Sequence, residues 1–402
     1  MLYQQEKAEL PSKNDRLILF VGGYDPRGAR HYHQMMQRES LKQGEVSQES
    51  YKVGSRHRWE PGLKEGLLHS QWTVSNDRGK SSDYVFVDWS DLVRQSWASR
   101  IADVVWQGLK TYCLIFRNKN VLSPLLKATP YAIWTLVYPL VCMLLCLALA
   151  CIAITVSYKI NPGWVGFANG ILIGFIFLWA GYALDKKIHV SWLLRILNFS
   201  RKEAENSVHE VDDRFKRTAK IVARQIISGD YQELVVIGFS VGSAVAVSFA
   251  QSIREEFILE GCPKQKINLL TLGNCIPLFS LMPGADRIRS NLFELAKDES
   301  SYWVDISSPS DSVSFGMCDL LALSFPKQDS KVLAGCVNPR HMCTPRFHKL
   351  FTPSAYRWMK RNKMRMHFQY LMASDLSGAY DYFKLLTCKE SLPDFIEKRL
   401  VR

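Results

Sequence analysis

From Ala128 to Tyr158 the chain runs for 31 residues without Asp, Glu, Lys, Arg or His, and from Ile160 to Leu184 for another 25. About 20 apolar residues cross a bilayer as a helix, so each stretch predicts a transmembrane span. Only Lys159 and the turn formers Asn161, Pro162 and Gly163 separate them, which returns the second span directly to the side the first came from. Two buried core helices would be the other source of such runs, but helices this long and apolar on every side have little place in a domain of this size. Trp134, Tyr138, Trp164, Trp179 and Tyr182 suit the membrane interfaces. Gly163, Gly166, Gly170 and Gly174 recur at helix-packing intervals, which predicts close association of the two spans or of two chains.

Outside these runs the pattern alternates between short β-rich and longer helix-periodic segments. RLILFVGGY (Arg16 to Tyr24) predicts a strand closed by paired glycines, and HYHQMMQRESLKQ after it a helix. Segments around Tyr51 to Trp59 and Leu67 to Ser75 suggest a hairpin; Ser82 to Trp89 predicts a buried strand leading into an amphipathic stretch that approaches the membrane. Beyond the apolar runs, Val211 to Gly229 is helix-periodic, ELVVIG is a strand, and Ile267 to Asn274 and Ser301 to Asp311 repeat the pattern with helical material between. Alternating strands and helices predict an α/β class, a doubly wound, mostly parallel sheet interrupted by a two-helix transmembrane hairpin. Neither an internal repeat nor a low-complexity tract is present.

Charge adds an orientation. The chain carries 51 Lys and Arg against 38 Asp and Glu, a net +13. Lys110, Arg117, Lys119 and Lys127 precede the hairpin and Lys186, Lys187, Arg195, Arg201 and Lys202 follow it, against the single Lys159 in its loop. The positive-inside rule places both soluble parts, and so both termini, on the cytoplasmic face of an integral membrane protein. No zinc-finger spacing, RNP-like motif or basic heptad array favours nucleic acid, which is not expected as a partner. The ten cysteines form no CxxC pair, fitting reduced thiols rather than a disulfide framework, and the polar first fifteen residues contain no signal-peptide core.

One motif carries chemistry. Gly238, Phe239, Ser240, Val241 and Gly242 make G-x-S-x-G between a predicted strand and a predicted helix, the context of a nucleophile elbow. With glycine and serine each near ~7% of residues, a chain of this length holds on the order of 0.1 such matches by chance. A serine in a strained turn requires side-chain-free positions two before and two after it. Ser240 would then stand above the sheet, with the Val241 N–H and the helix dipole aimed at a tetrahedral oxyanion. A structural βα turn is the plain alternative; a phosphate-binding turn lacks both G-x-G-x-x-G and G-K-[ST].

A nucleophilic serine needs a base and an orienting carboxylate, which in this architecture follow it as acid and then histidine. Asp311 lies in a polar loop after the strand Tyr302 to Ile306, with Asp305 inside that strand as its rival. Of the later histidines, His341, His348 and His367, the last opens an aromatic segment, MRMHFQYL, and is favoured. Together the elbow GFSVGS, the segment YWVDISSPSDSVSF and the late HFQYL resemble the lipase and esterase-like branch of the α/β hydrolase superfamily, over about residues 16 to 372. The resemblance implies a Ser240–Asp311–His367 triad and a second oxyanion donor from FVGGYDPRG, the N–H of Gly23 or Tyr24. The usual opening antiparallel strands are then missing or displaced into residues 51 to 75. Residues 1–125 and 187–402 form the two parts of the hydrolase-like domain, and 126–186 the hairpin.

The expected function is a membrane-anchored serine hydrolase that cleaves a carboxylic ester or thioester of an apolar or lipid substrate, with no cofactor or metal. GMCDLLALSF and KVLAGC suggest an apolar lid or acyl pocket, or else core. A catalytically inactive scaffold binding a protein or lipid is the alternative. Transport is disfavoured, because the spans hold no ionisable residue to line a path.

Overall fold

A computed structural model of the chain describes residues 15–97, 100–127, 130–325 and 333–401. Its centre is a mixed nine-stranded sheet, so the protein is of the α/β class. The strands are β1 (Arg16–Val21), β2 (Tyr51–Val53), β3 (His57–Arg58), β4 (Ser70–Asn76), β5 (Ser81–Phe86), β6 (Glu233–Phe239), β7 (Ile267–Leu272), β8 (Ser301–Ile306) and β9 (His341–Cys343). Their spatial order is β2-β4-β5-β1-β6-β7-β8-β9, with β3 also paired to β4. From β5 to β9 all neighbours are parallel, and β2, β3 and β4 make the antiparallel edge. The predicted hairpin over residues 51 to 75 is this edge, β2 and β3 both pairing with β4.

The central parallel strands are buried in nearly every position because both faces are covered. Leu17, Leu19 and Val21 of β1 join one buried cluster with Val236, Leu269 and helix residues such as Phe215 and Phe249. Ile18 and Phe20 join the opposite cluster with Tyr32, Phe239, Tyr370 and Phe383. Leu320 and Leu321 belong to the first cluster, and Leu333 and Cys336 pack against it. The suggested lid over GMCDLLALSF is therefore core: its leucines fill space under the sheet. Lys331 and Val332 of KVLAGC lie outside the described residues.

Strands β1 and β6 lie side by side, Val21 opposite Gly238, although the hairpin enters the chain between them. Its helices, Pro130–Ile160 and Trp164–Ile188, contain spans of 28 and 22 residues that are long and apolar enough to cross a membrane. Only 11% of the most apolar stretch of each is buried within the protein, which excludes the core-helix alternative. The small residues of the second helix face the first. A Cβ added at Gly170 would meet the Ile154 Cα at 2.6 Å, and one at Gly174 the Ala150 Cβ at 3.4 Å. The close association of the two spans that the spacing predicts is thus formed within the hairpin.

Replacing Gly170 by Leu forces these helices apart. The expected loss is about 1–3 kcal/mol, measured as a lower unfolding temperature in detergent, whereas Leu172→Ala on the exposed side of the same helix leaves it nearly unchanged.

Candidate functional site

The strand β6 ends at Phe239 and the helix Gly242–Leu259 begins three residues later. Ser240 takes up the turn with φ of +59°, a left-handed conformation that costs a non-glycine residue about 1–2 kcal/mol. Hydrogen bonds hold it there: the Ser240 N–H donates to the Leu272 carbonyl at 3.0 Å, and the Ser243 hydroxyl donates to the Ser240 carbonyl at 2.5 Å. That hydroxyl in turn accepts the Cys275 N–H at 3.0 Å. The flanking glycines are required by contact. A Cβ at Gly242 would stand 2.3 Å from the Val21 carbonyl oxygen and 2.4 Å from that of Gly22; at Gly238 it would stand 2.7 Å from the Ser243 Cα.

Val241 is the N-cap of that helix, in αR geometry. The loop after β1 rests on the serine: a Cβ built on Gly23 would lie 3.1 Å from Ser240 Cβ and 3.4 Å from Ser240 Oγ. Gly23 and Tyr24 thus border the serine, as Val241 does by sequence. Tyr24 is anchored by its hydroxyl to Ser96 Oγ at 2.7 Å and by stacking on Trp97, centroids 5.6 Å apart.

His367 sits in the short helix Lys363–Phe368 and Asp311 in the loop after β8. Their side chains meet at 2.7 Å, Nδ1 to Oδ2, and both are buried. The other Asp311 oxygen accepts the Val313 N–H at 3.1 Å. In a neutral imidazole, a carboxylate partner places the proton on Nδ1 and leaves the lone pair on Nε2. That Nε2 is buried and has no hydrogen-bond partner among the described residues. The imidazole packs on the ring of Phe239, centroids 5.0 Å apart, the residue directly before Ser240.

Ser240, 4% exposed, and His367 line one cleft of about 490 Å³ with Gly23, Tyr24, Trp97 and Phe368. Ser240 Oγ points toward Cys275 Sγ, 3.9 Å away, and makes no hydrogen bond to His367, whose Nε2 is unpartnered among the described residues. Burial pushes the Cys275 thiol up to about 12, so this cysteine stays protonated and is no rival nucleophile. Behind the serine a narrow apolar pocket is lined by Cys275, Leu278, Val313 and Phe315 together with Leu136 and Pro139 of the first span helix.

The rivals fall elsewhere. Asp305 Oδ1 accepts bonds from Thr271 and Asn274 at 2.7 and 2.9 Å, and Oδ2 one from Ser307 at 2.6 Å, which makes it a tie between strand ends. His341 lies 3.8 Å from Glu397 on β9, and His348 is exposed on a 3₁₀ turn. No sequence signal points to Cys275, Trp97 or Trp192 at the site, and His189, which precedes the serine and so lies outside the expected order of acid and histidine, lines the cleft as well. No group of three His, Cys, Asp or Glu placed to hold a metal occurs among the described residues. Compared with protein families, curated proteins and solved structures, the chain finds no match.

Gly242→Ala drives a methyl into two backbone carbonyls, and Gly238→Ala into the elbow helix. Each is expected to cost more than the roughly 1–3 kcal/mol of ordinary overpacking, read as loss of folded protein by thermal scanning. Asp305 yields a pH test. Burial outweighs its three donors and raises the carboxyl to about 6, above the unfolded value of about 4. The native state therefore binds the proton more tightly, and stability present at pH 4 is lost as pH rises through 6. Relative to Asp305→Asn, the wild type should lose about 2 kcal/mol between those pH values; denaturation at each pH measures it.

Proposed function

We propose that the protein is a membrane-anchored serine hydrolase of the α/β hydrolase type, its sheet doubly wound, that cleaves a carboxylic ester or thioester of an apolar or lipid substrate. The observation that carries this reading is the buried His367–Asp311 pair, whose Nε2 has no hydrogen-bond partner among the described residues and whose imidazole lines the same cleft as Ser240. A neutral imidazole oriented by a carboxylate, beside a serine on a strained strand-to-helix turn, is an arrangement with a chemical use and a folding cost. In the proposed reaction Ser240 Oγ attacks the acyl carbonyl carbon while His367 Nε2 takes its proton. The oxyanion is met by the N–H of Val241 and that of Gly23 or Tyr24. The carbonyl–oxygen or carbonyl–sulfur bond then breaks, His367 returns the proton to the leaving group, and water attacks the acyl-serine by the reverse sequence.

Orientation belongs to the same proposal. The basic residues on both sides of the hairpin set the soluble domain, and with it the cleft, on the cytoplasmic face. Tethering there raises the local concentration of a membrane-borne ester at the cleft without any new contact.

A fluorophosphonate probe should label the detergent-solubilised wild type and leave Ser240→Ala unlabelled. Asp311→Asn should lower turnover of a short acyl ester by on the order of 10⁴, the scale on which a triad fails when its carboxylate becomes an amide, with the fold retained. Unlabelled wild type in well-folded form, or hydrolysis undiminished in Ser240→Ala, would leave the inactive scaffold as the better account.

A further inference from the structure

The cleft at Ser240 is rich in arginine, yet its cations are already engaged. Arg27 pairs with Asp25 at 2.6 Å, Arg38 with Glu39 at 3.0 Å, and Arg365 bonds to Gln369. A second cavity differs in this respect. It measures about 550 Å³ and lies between the base of the hairpin and the segment Pro353–Phe368, lined by Tyr138, Lys187, His189, Trp358, Arg361 and Lys363 among others. Among the described residues no carboxylate lines it. Lys363 reaches the hairpin, its Nζ 4.6 Å from the centre of the Tyr138 ring.

Its depth is set by the spans. Tyr138 lies near the start of the span Ile133–Ile160, and Lys187 stands two residues past the end of Trp164–Asp185. The cavity is therefore at the level where hydrocarbon gives way to lipid headgroups. Trp358, 58% exposed, has the amphipathic character favoured at that level. Two lysines and an arginine make this hollow electropositive, which favours an anion, and at this depth the anion at hand is a lipid phosphate.

The cavity also adjoins the site. It shares His189, Trp192, Asn362 and Met364 with the cleft of Ser240 and His367, and Thr135, Leu193 and Val313 with the apolar pocket behind Ser240. In a glycerophospholipid one glycerol unit separates the phosphate from the acyl esters. A phosphate held by Lys187, Arg361 and Lys363 thus brings an ester to the junction of the three hollows, with its chain toward Leu136 and Pro139 of the hairpin.

We infer that this basic cavity holds the headgroup of an anionic glycerophospholipid from the adjoining leaflet, and that such a lipid is the acyl donor to Ser240. The second clause rests on the hydrolase proposal. Ser240 Oγ forms a bond to the acyl carbon as the bond to glycerol oxygen breaks, that oxygen takes the proton from His367, and a lysophospholipid departs. Water then releases the fatty acid and restores the serine hydroxyl.

Binding and turnover are read separately on the full chain in detergent. Native mass spectrometry of Ser240→Ala should show retained dioleoylphosphatidylglycerol in preference to dioleoylglycerol. The triple change Lys187→Gln, Arg361→Gln, Lys363→Gln should weaken retention by about tenfold or more, as expected when charge-assisted bonds are lost, whereas Lys119→Gln, outside the cavity, leaves it unchanged. With Ser240 intact, the KM for phosphatidylglycerol should rise by a like factor in the triple variant. Equal retention of both lipids, or retention indifferent to the triple change, overturns the headgroup site. Displacement by inorganic phosphate as effective as by phosphatidylglycerol reassigns it to a soluble anion and overturns it too. If retention follows the expected pattern while fluorophosphonate labelling of wild type fails, the headgroup site stands and the acyl-donor clause falls with the hydrolase reading.

Discussion

The close approach of two backbones at the end of β6 governs the rest of the site. Gly242 lies so near the Val21 and Gly22 carbonyls that no side chain fits, and this contact locks the elbow helix to the end of β1. From it follow the left-handed Ser240, the position of the Gly23 loop against the serine, and the direction in which the helix points its N-terminus. A parallel sheet supplies such a junction because its strands all end at the same edge, where loops from neighbouring strands meet. β1, β6, β7 and β8 each contribute there: the Gly23 loop, the serine, Cys275 and Asp311 respectively.

The second constraint is electrostatic. Asp311 and His367 are both removed from water, and a buried carboxylate is tolerable only when its oxygens are met. One is met by the Val313 N–H and the other by the imidazole. The aromatic packing of His367 on Phe239 then holds the ring where it can face the cleft. The same logic explains Asp305, whose oxygens are taken up by Thr271, Asn274 and Ser307 and which has nothing left to offer a histidine.

Much of this was legible in the sequence because it depends on local pattern. The apolar runs of the hairpin, the strands β1, β5, β6, β7 and β8, and the G-x-S-x-G junction each announce themselves by spacing or by residues that only one backbone geometry accommodates. The choice of Asp311 over Asp305 followed from its place in a loop beyond a strand, where side chains point out of the sheet's edge. Other features were not legible because they are made by contacts remote in sequence. Strand β9 is three residues long and takes its conformation from β8. Cys275 and Trp97 reach the site through folding rather than motif, and the basic hollow under the cleft is assembled from the hairpin ends and a helix nearly two hundred residues later. The leucines of GMCDLLALSF were ambiguous for a related reason, since apolarity alone does not distinguish core from lid.

The insertion of the hairpin between neighbouring strands has a temporal meaning. Arg16 of β1 and Glu233 of β6 form an ion pair across 217 residues of chain, and the two spans lie inside that loop. During synthesis β1 emerges long before its partner, and the sheet closes only once the intervening chain, with both apolar helices, has been made. Contacts of such long range form late. Completion of the sheet thus waits on the chain that carries the two apolar helices, and a nascent chain that ends before β6 is left with β1 unpaired on that side and without the Ser240 turn.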